Sequence, residues 1–175
     1  LLERILHEAP SLLLEGDLQA VLPDLLTDLV LDDEASLMSA IVGRFYMLME
    51  DGDAGTRAAS YRLLAHLTEG TSRIVAEALT QHSTDYVTAR LRLERNEDVL
   101  MCLLDAAERV ADLHLRAGDL RAASRIMWQL GKGLQVAADV GEAARGRSRE
   151  IVSGLMRSQP FEHALNALWT PNEKR

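Results

Sequence analysis

The chain has 175 residues, a formal net charge of −8 and a single cysteine; 47% of its residues are apolar, yet only 4% are aromatic. A chain of this length buries roughly 70% of its unfolded surface without cross-links, and one cysteine excludes an internal disulfide and fits a reducing, cytoplasmic location. The acidic balance argues against nucleic acid, no apolar run approaches the roughly 20 residues of a membrane span, and a core of Leu, Ala, Val, Ile and Met without aromatic or β-branched runs argues against strands.

Helical periodicity runs through nearly every segment. Leu1–Leu14 reads as a first helix, bent or interrupted at Pro10. Asp17 caps a second that runs to about Leu31, unless Pro23 marks its true start. Asp32-Asp33-Glu34 opens a third, whose buried side carries Leu37, Ala40, Ile41, Phe45 and Leu48. The turn Asp51-Gly52-Asp53-Ala54-Gly55 leads into the helix Thr56–Leu67. A helix over Ser72–His82 follows, and Ser83-Thr84-Asp85 is expected to cap another over Tyr86–Glu94. Asn96 caps the next helix, with Glu97 and Asp98 in its first turn and a stripe of Leu100, Leu103, Leu104, Ala107, Val110 and Ala111. Gly118 ends it, and Asp119 caps a helix over Leu120–Leu130. Gly131 and Gly133 weaken the continuation, which resumes through Val136–Ala144. Ile151–Arg157 is helical, Pro160 breaks, Phe161–Trp169 is a short last helix, and Thr170–Arg175 is a polar tail.

The result is about ten helices joined by short links, which forces neighbours to be antiparallel. A shift of about 46 residues superposes two modules, with Phe45 on Leu91, Met47 on Leu93, Leu64 on Val110 and Leu67 on Leu113. This period lies in the range of HEAT and armadillo repeats. The expected fold is an all-α, right-handed α-solenoid of HEAT/armadillo-like helix pairs over residues 1–169, with 170–175 as its tail. Leu1 is not a start methionine and the chain opens inside a helical pattern, so a piece of a longer array is expected.

The segment Arg57-Ala58-Ala59-Ser60-Tyr61-Arg62-Leu63-Leu64-Ala65-His66-Leu67 resembles the second helix of an armadillo or HEAT repeat. It is similar in particular to the N-terminal repeats of the Rictor family, the scaffold subunit of target-of-rapamycin complex two. Asp85-Tyr86-Val87-Thr88-Ala89-Arg90 fits that family's Asp-Tyr-x-x-Ala-Arg segment. The likeness covers roughly Arg57–Leu113 and requires a small insertion between its two pieces. It implies a non-catalytic scaffold in a signalling complex. Ala117-Gly118-Asp119-Leu120-Arg121-Ala122-Ala123 resembles a tetratricopeptide turn, although that motif's Trp and Tyr positions are not met.

Reaction chemistry is not apparent. Asp51-x-Asp53-x-Gly55 resembles a calcium loop, but the fifth, sixth and twelfth positions are Gly55, Thr56 and Arg62 rather than an oxygen ligand, Gly and Glu. His7, His66, His82, His114 and His163 show no metal-ligand spacing. Cys102 is expected to be a small buried hydrophobe. Gly131-Lys132-Gly133 is a helix break rather than a phosphate loop. Arg145-Gly146-Arg147-Ser148-Arg149 reads as a solvated linker, against contact with an acidic partner or phosphate or a serine-phosphorylation context, and Trp128 as a core residue. No catalytic residue, metal or cofactor is expected.

Partner contact is expected at Arg57, Arg62, Arg90 and Trp169, in competition with ion pairing of the three arginines to the acidic turns. Trp169, with Phe161, Leu165 and Leu168, is placed to cover a following repeat. The partners implied are other proteins or peptide segments, with self-association through exposed repeat ends as a further route. The competing readings are a closed bundle around a small apolar ligand and a self-assembling structural domain.

Overall fold

The computed structural model describes residues 43–70 and 73–169, together with Gly16 and Asp24, with the backbone alone for 69–70, 73–82 and 168–169. A helical stretch over 43–49 precedes seven α-helices. These are α1 (Ala54–Gly70), α2 (Arg73–Leu93), α3 (Glu97–Arg116), α4 (Leu120–Trp128), a π-turn at Gln129–Gly133 running directly into the short α5 (Leu134–Val136), α6 (Glu142–Met156) and α7 (Gln159–Trp169). There is no strand among the described residues. The helices expected at Leu1–Leu14 and Asp17–Leu31, and the start of the third, lie outside them.

The centre is α3, whose expected stripe of six residues is buried throughout. Its ends follow from local chemistry. Asn96 Oδ1 accepts the Val99 N–H at 3.1 Å and supplies one of the acceptors that a helix start lacks. Gly118 has φ +79° and closes the other end. The Asp119 N–H donates to the His114 carbonyl at 2.8 Å and the Gly118 N–H to that of Leu115 at 3.0 Å, a Schellman closure. Asp119 Oδ1 then accepts from the Ala122 N–H at 2.9 Å and starts α4. Pro160 sits in the first turn of α7, where its missing N–H costs nothing.

Three expected boundaries are corrected within the described residues. Arg73–Leu93 is one helix, without a break at Ser83-Thr84-Asp85. Ser83 and Thr84 are buried, and their hydroxyls bond across the fold, Ser83 to the Tyr46 hydroxyl at 3.1 Å and Thr84 to His114 Nε2. Side-chain oxygens held in tertiary bonds do not cap a new helix. Gly131 and Gly133 do not break the chain but sit in the π-turn, where a Cβ on Gly133 would collide with the Gln129 amide folded over it. The break comes later, at 137–141, and α6 takes in Arg145–Arg149, which is therefore no linker.

Helix α3 packs against most of the others. Helix α1 lies on α2 and α3, α2 on α3 and α4, α3 on α4, α6 and α7, and both α4 and α6 on α7. The helices α1, α3 and α6 begin at Ala54, Glu97 and Glu142, roughly 45 residues apart. Side-chain links between elements span various offsets, among them 29 residues for Arg90 to Tyr61 and 30 for Thr84 to His114. Tyr46 to Ser83, Arg57 to Glu94 and Arg92 to Gln129 each span 37 residues. Arg125 to Asp85 spans 40, Arg147 to Glu108 and to Asp105 39 and 42, and Arg95 to Asp139 44.

Candidate functional site

Two polar constellations stand out, one at the turns and one over α3. At the turn after α2, Glu94 is buried at 4% exposure. Arg57 of α1 grips it with both sides of its fork, Nε to Oε2 at 2.9 Å and Nη2 to Oε1 at 3.2 Å. The backbone N–H groups of Arg95 and Asn96 donate to Oε1 at 3.1 and 3.0 Å. Arg90, one turn earlier on α2, lies 3.7 Å from Oε2 and donates through Nε to the Tyr61 hydroxyl at 3.3 Å. Burial pushes the Glu94 carboxyl up, but the Arg57 bond and the two amides outweigh it and hold the group below its ordinary range. Arg57 also donates to the carbonyls of Asp51 and Gly52 at 2.8 and 3.1 Å, so one guanidinium ties the turn before α1 to the turn before α3. Asp51 and Asp53 are engaged within their own turn. Asp53 Oδ2 accepts from the Thr56 N–H at 2.7 Å, which caps α1 and holds the Asp53 carboxyl below its usual range.

The second constellation is a groove of about 400 Å³ across α3, walled by α1 and α6. Helix α1 contributes Arg62, Ala65 and His66; α3 contributes Cys102, Asp105, Glu108 and Arg109; α6 contributes Arg147. The α3 residues lie one turn apart on the side opposite its Leu stripe. Arg147 Nη2 bridges Asp105 Oδ1 at 2.9 Å and Glu108 Oε2 at 2.7 Å, locking α6 to α3. Cys102 is half-buried rather than fully enclosed, because it lies on the groove side of α3, away from the Leu stripe. Chemically, the groove offers alternating donors and acceptors to a polar segment. Among the described residues no group of three or more His, Cys, Asp or Glu is arranged to hold a metal, and no helix is long and apolar enough to cross a membrane.

The four residues singled out for partner contact thus occupy different places. Arg57 and Arg90 converge on Glu94, Arg62 faces the groove, and the side chain of Trp169 lies outside the described residues. Comparison with protein-family models, curated proteins and solved structures yields no match in any of the three.

Other expectations change with the geometry. Trp128 is 57% exposed, not core, because Ala123, Ile126 and Met127 take the buried stripe of α4 and leave position 128 about 100° away from Met127. Ser148 is fully buried and donates to the Leu130 carbonyl of the π-turn, so its hydroxyl is enclosed in the folded chain and offers no phosphorylation site. Asp105, Glu108 and Arg147 escape a reading by motif because they come together across about 40 residues. Their only trace is the polar spacing on α3 opposite its stripe.

Proposed function

We propose that the chain is a non-catalytic scaffold or adaptor module, a right-handed solenoid of HEAT/armadillo-like helix pairs that captures segments of other proteins along the groove over α3. The spacing of the starts of α1, α3 and α6, roughly 45 residues each, carries this reading. In stacked repeats each unit contacts only its neighbours. In this reading the stretch 43–49 pairs with α1, α2 with α3, and α4–α5 with α6. The groove is then lined by the second helix of each pair, the surface that solenoids turn toward their partners. Exposed Met47 and Leu93 stand at matching places in the first two units, 58% and 65% accessible.

The Rictor-like residues at Arg57–Leu67 and Asp85–Arg90 support a target-of-rapamycin signalling complex as the setting. Affinity capture with the whole chain as bait, read by mass spectrometry, tests both levels. Recovery of the target-of-rapamycin kinase is the expected result. A reproducible but unrelated set of partners removes the family and keeps the scaffold. Concentration-dependent self-association with no captured protein contradicts the adaptor function.

A further inference from the structure

We propose that Arg62 receives the carboxylate of an acidic side chain from a partner segment lying in the groove over α3; this deepens the scaffold reading and rests on it. The chain's arginines differ in what they are already bound to. Arg57 and Arg90 are held by Glu94, and Arg147 by Asp105 and Glu108. Arg109, the other cation of the lining, is also engaged. Arg62 is exposed, and no described residue accepts a hydrogen bond from its five donors or pairs with its charge. His66, one turn further along the same face of α1, adds a second polar group beside it.

Charge complementarity selects the occupant. Three guanidiniums and two carboxylates line the groove, and Glu150 stands at the rim 4.0 Å from Arg147. The balance is close to neutral within a chain of net charge −8, which does not attract a polyanion such as nucleic acid. A basic residue entering the groove would have to displace Arg147 from acids that it already bridges. A single carboxylate meets no such competitor at Arg62 and gains a forked, charge-assisted pair. The volume of about 400 Å³ accommodates a few side chains. The occupant is therefore a short peptide stretch with an isolated Asp or Glu among uncharged residues.

The test is an NMR titration of the whole chain with end-blocked peptides of Ala, Ser and Leu carrying one central Glu, Gln or Lys. The Glu peptide is expected to shift the Arg62 side-chain Nε–H and the backbone amides near Cys102 and Asp105, and to bind about tenfold tighter than the Gln peptide. Arg62→Ala should abolish that difference, while Arg121→Ala, an exposed arginine of α4, should preserve it. Equal affinity for Glu and Gln, a preference for Lys, or no shift at millimolar peptide overturns the proposal. Protein capture that survives in Arg62→Ala overturns this site and leaves the scaffold reading standing. A Glu preference in a chain that captures no protein does the reverse.

Discussion

Glu94 concentrates the residue-scale physics of the molecule. Its carboxylate is buried, forked by Arg57, approached by Arg90 and bonded to two backbone amides. Truncation leaves two arginines and two N–H groups without their acceptor, and breaking a buried pair from one side typically costs about 3 kcal/mol or more. Glu94→Ala should therefore lose about 3 kcal/mol in urea unfolding, and a change within about 0.5 kcal/mol would show that the cluster contributes nothing. Because the folded-state pKa of Glu94 is depressed, its contribution is complete above the unfolded carboxylate value and declines as pH falls through the folded one. His114 acts at higher pH. It is buried between Thr84 of α2 and Asp119 beyond α3. Burial lowers its pKa, and the Asp119 carboxylate at 3.6 Å restores only part. The folded state thus binds a proton less readily than the unfolded chain, whose histidine titrates near about 6.5. Stability from this group is complete above that value and falls as the pH drops below it. Unfolding free energies measured between pH 7 and 5 should decline in the parent chain and do so less steeply in His114→Gln; parallel slopes would remove His114 as the cause.

At the scale of the element, α3 was the most legible part of the sequence because everything that defines it is local. Its stripe, its Asn96 cap and its Gly118 stop are written within about 25 residues, and each appears as expected. Gly118 is exposed and a Cβ there would touch nothing, so its conformational requirement is isolated from packing. Gly118→Ala should cost about 1 kcal/mol, the price of placing an L side chain at positive φ. A thermal melt that does not shift would contradict the Schellman closure as a determinant. The elements read wrongly were those decided from a distance. Ser83 and Thr84 look like caps until Tyr46 and His114 claim their hydroxyls. Gly131 and Gly133 look like a break until the Gln129 side chain, bonded to Arg92 at 3.1 Å, needs the space above Gly133. Arg145–Arg149 look like a solvated linker until Ser148 is buried under Leu130 and Arg147 finds two acids on α3.

At the scale of the whole molecule, the starts of α1, α3 and α6 recur roughly every 45 residues, which in the proposed solenoid is its repeat length. The periodicity of about 46 residues was visible in apolar pattern, and Phe45 with Leu91 and Leu64 with Val110 are buried as matched pairs. The attraction of Arg57 and Arg90 to an acidic turn followed from charge alone. The groove did not, since no local rule brings Arg62, Asp105 and Arg147 to one place. The account's central claim is that successive helix pairs lean on one another in an open line. Small-angle X-ray scattering of the monomeric chain tests it most directly. A compact globule of this length has a radius of gyration of about 16 Å. The account predicts a clearly larger value with a distance distribution skewed to long vectors, whereas a symmetric distribution at about 16 Å would contradict it.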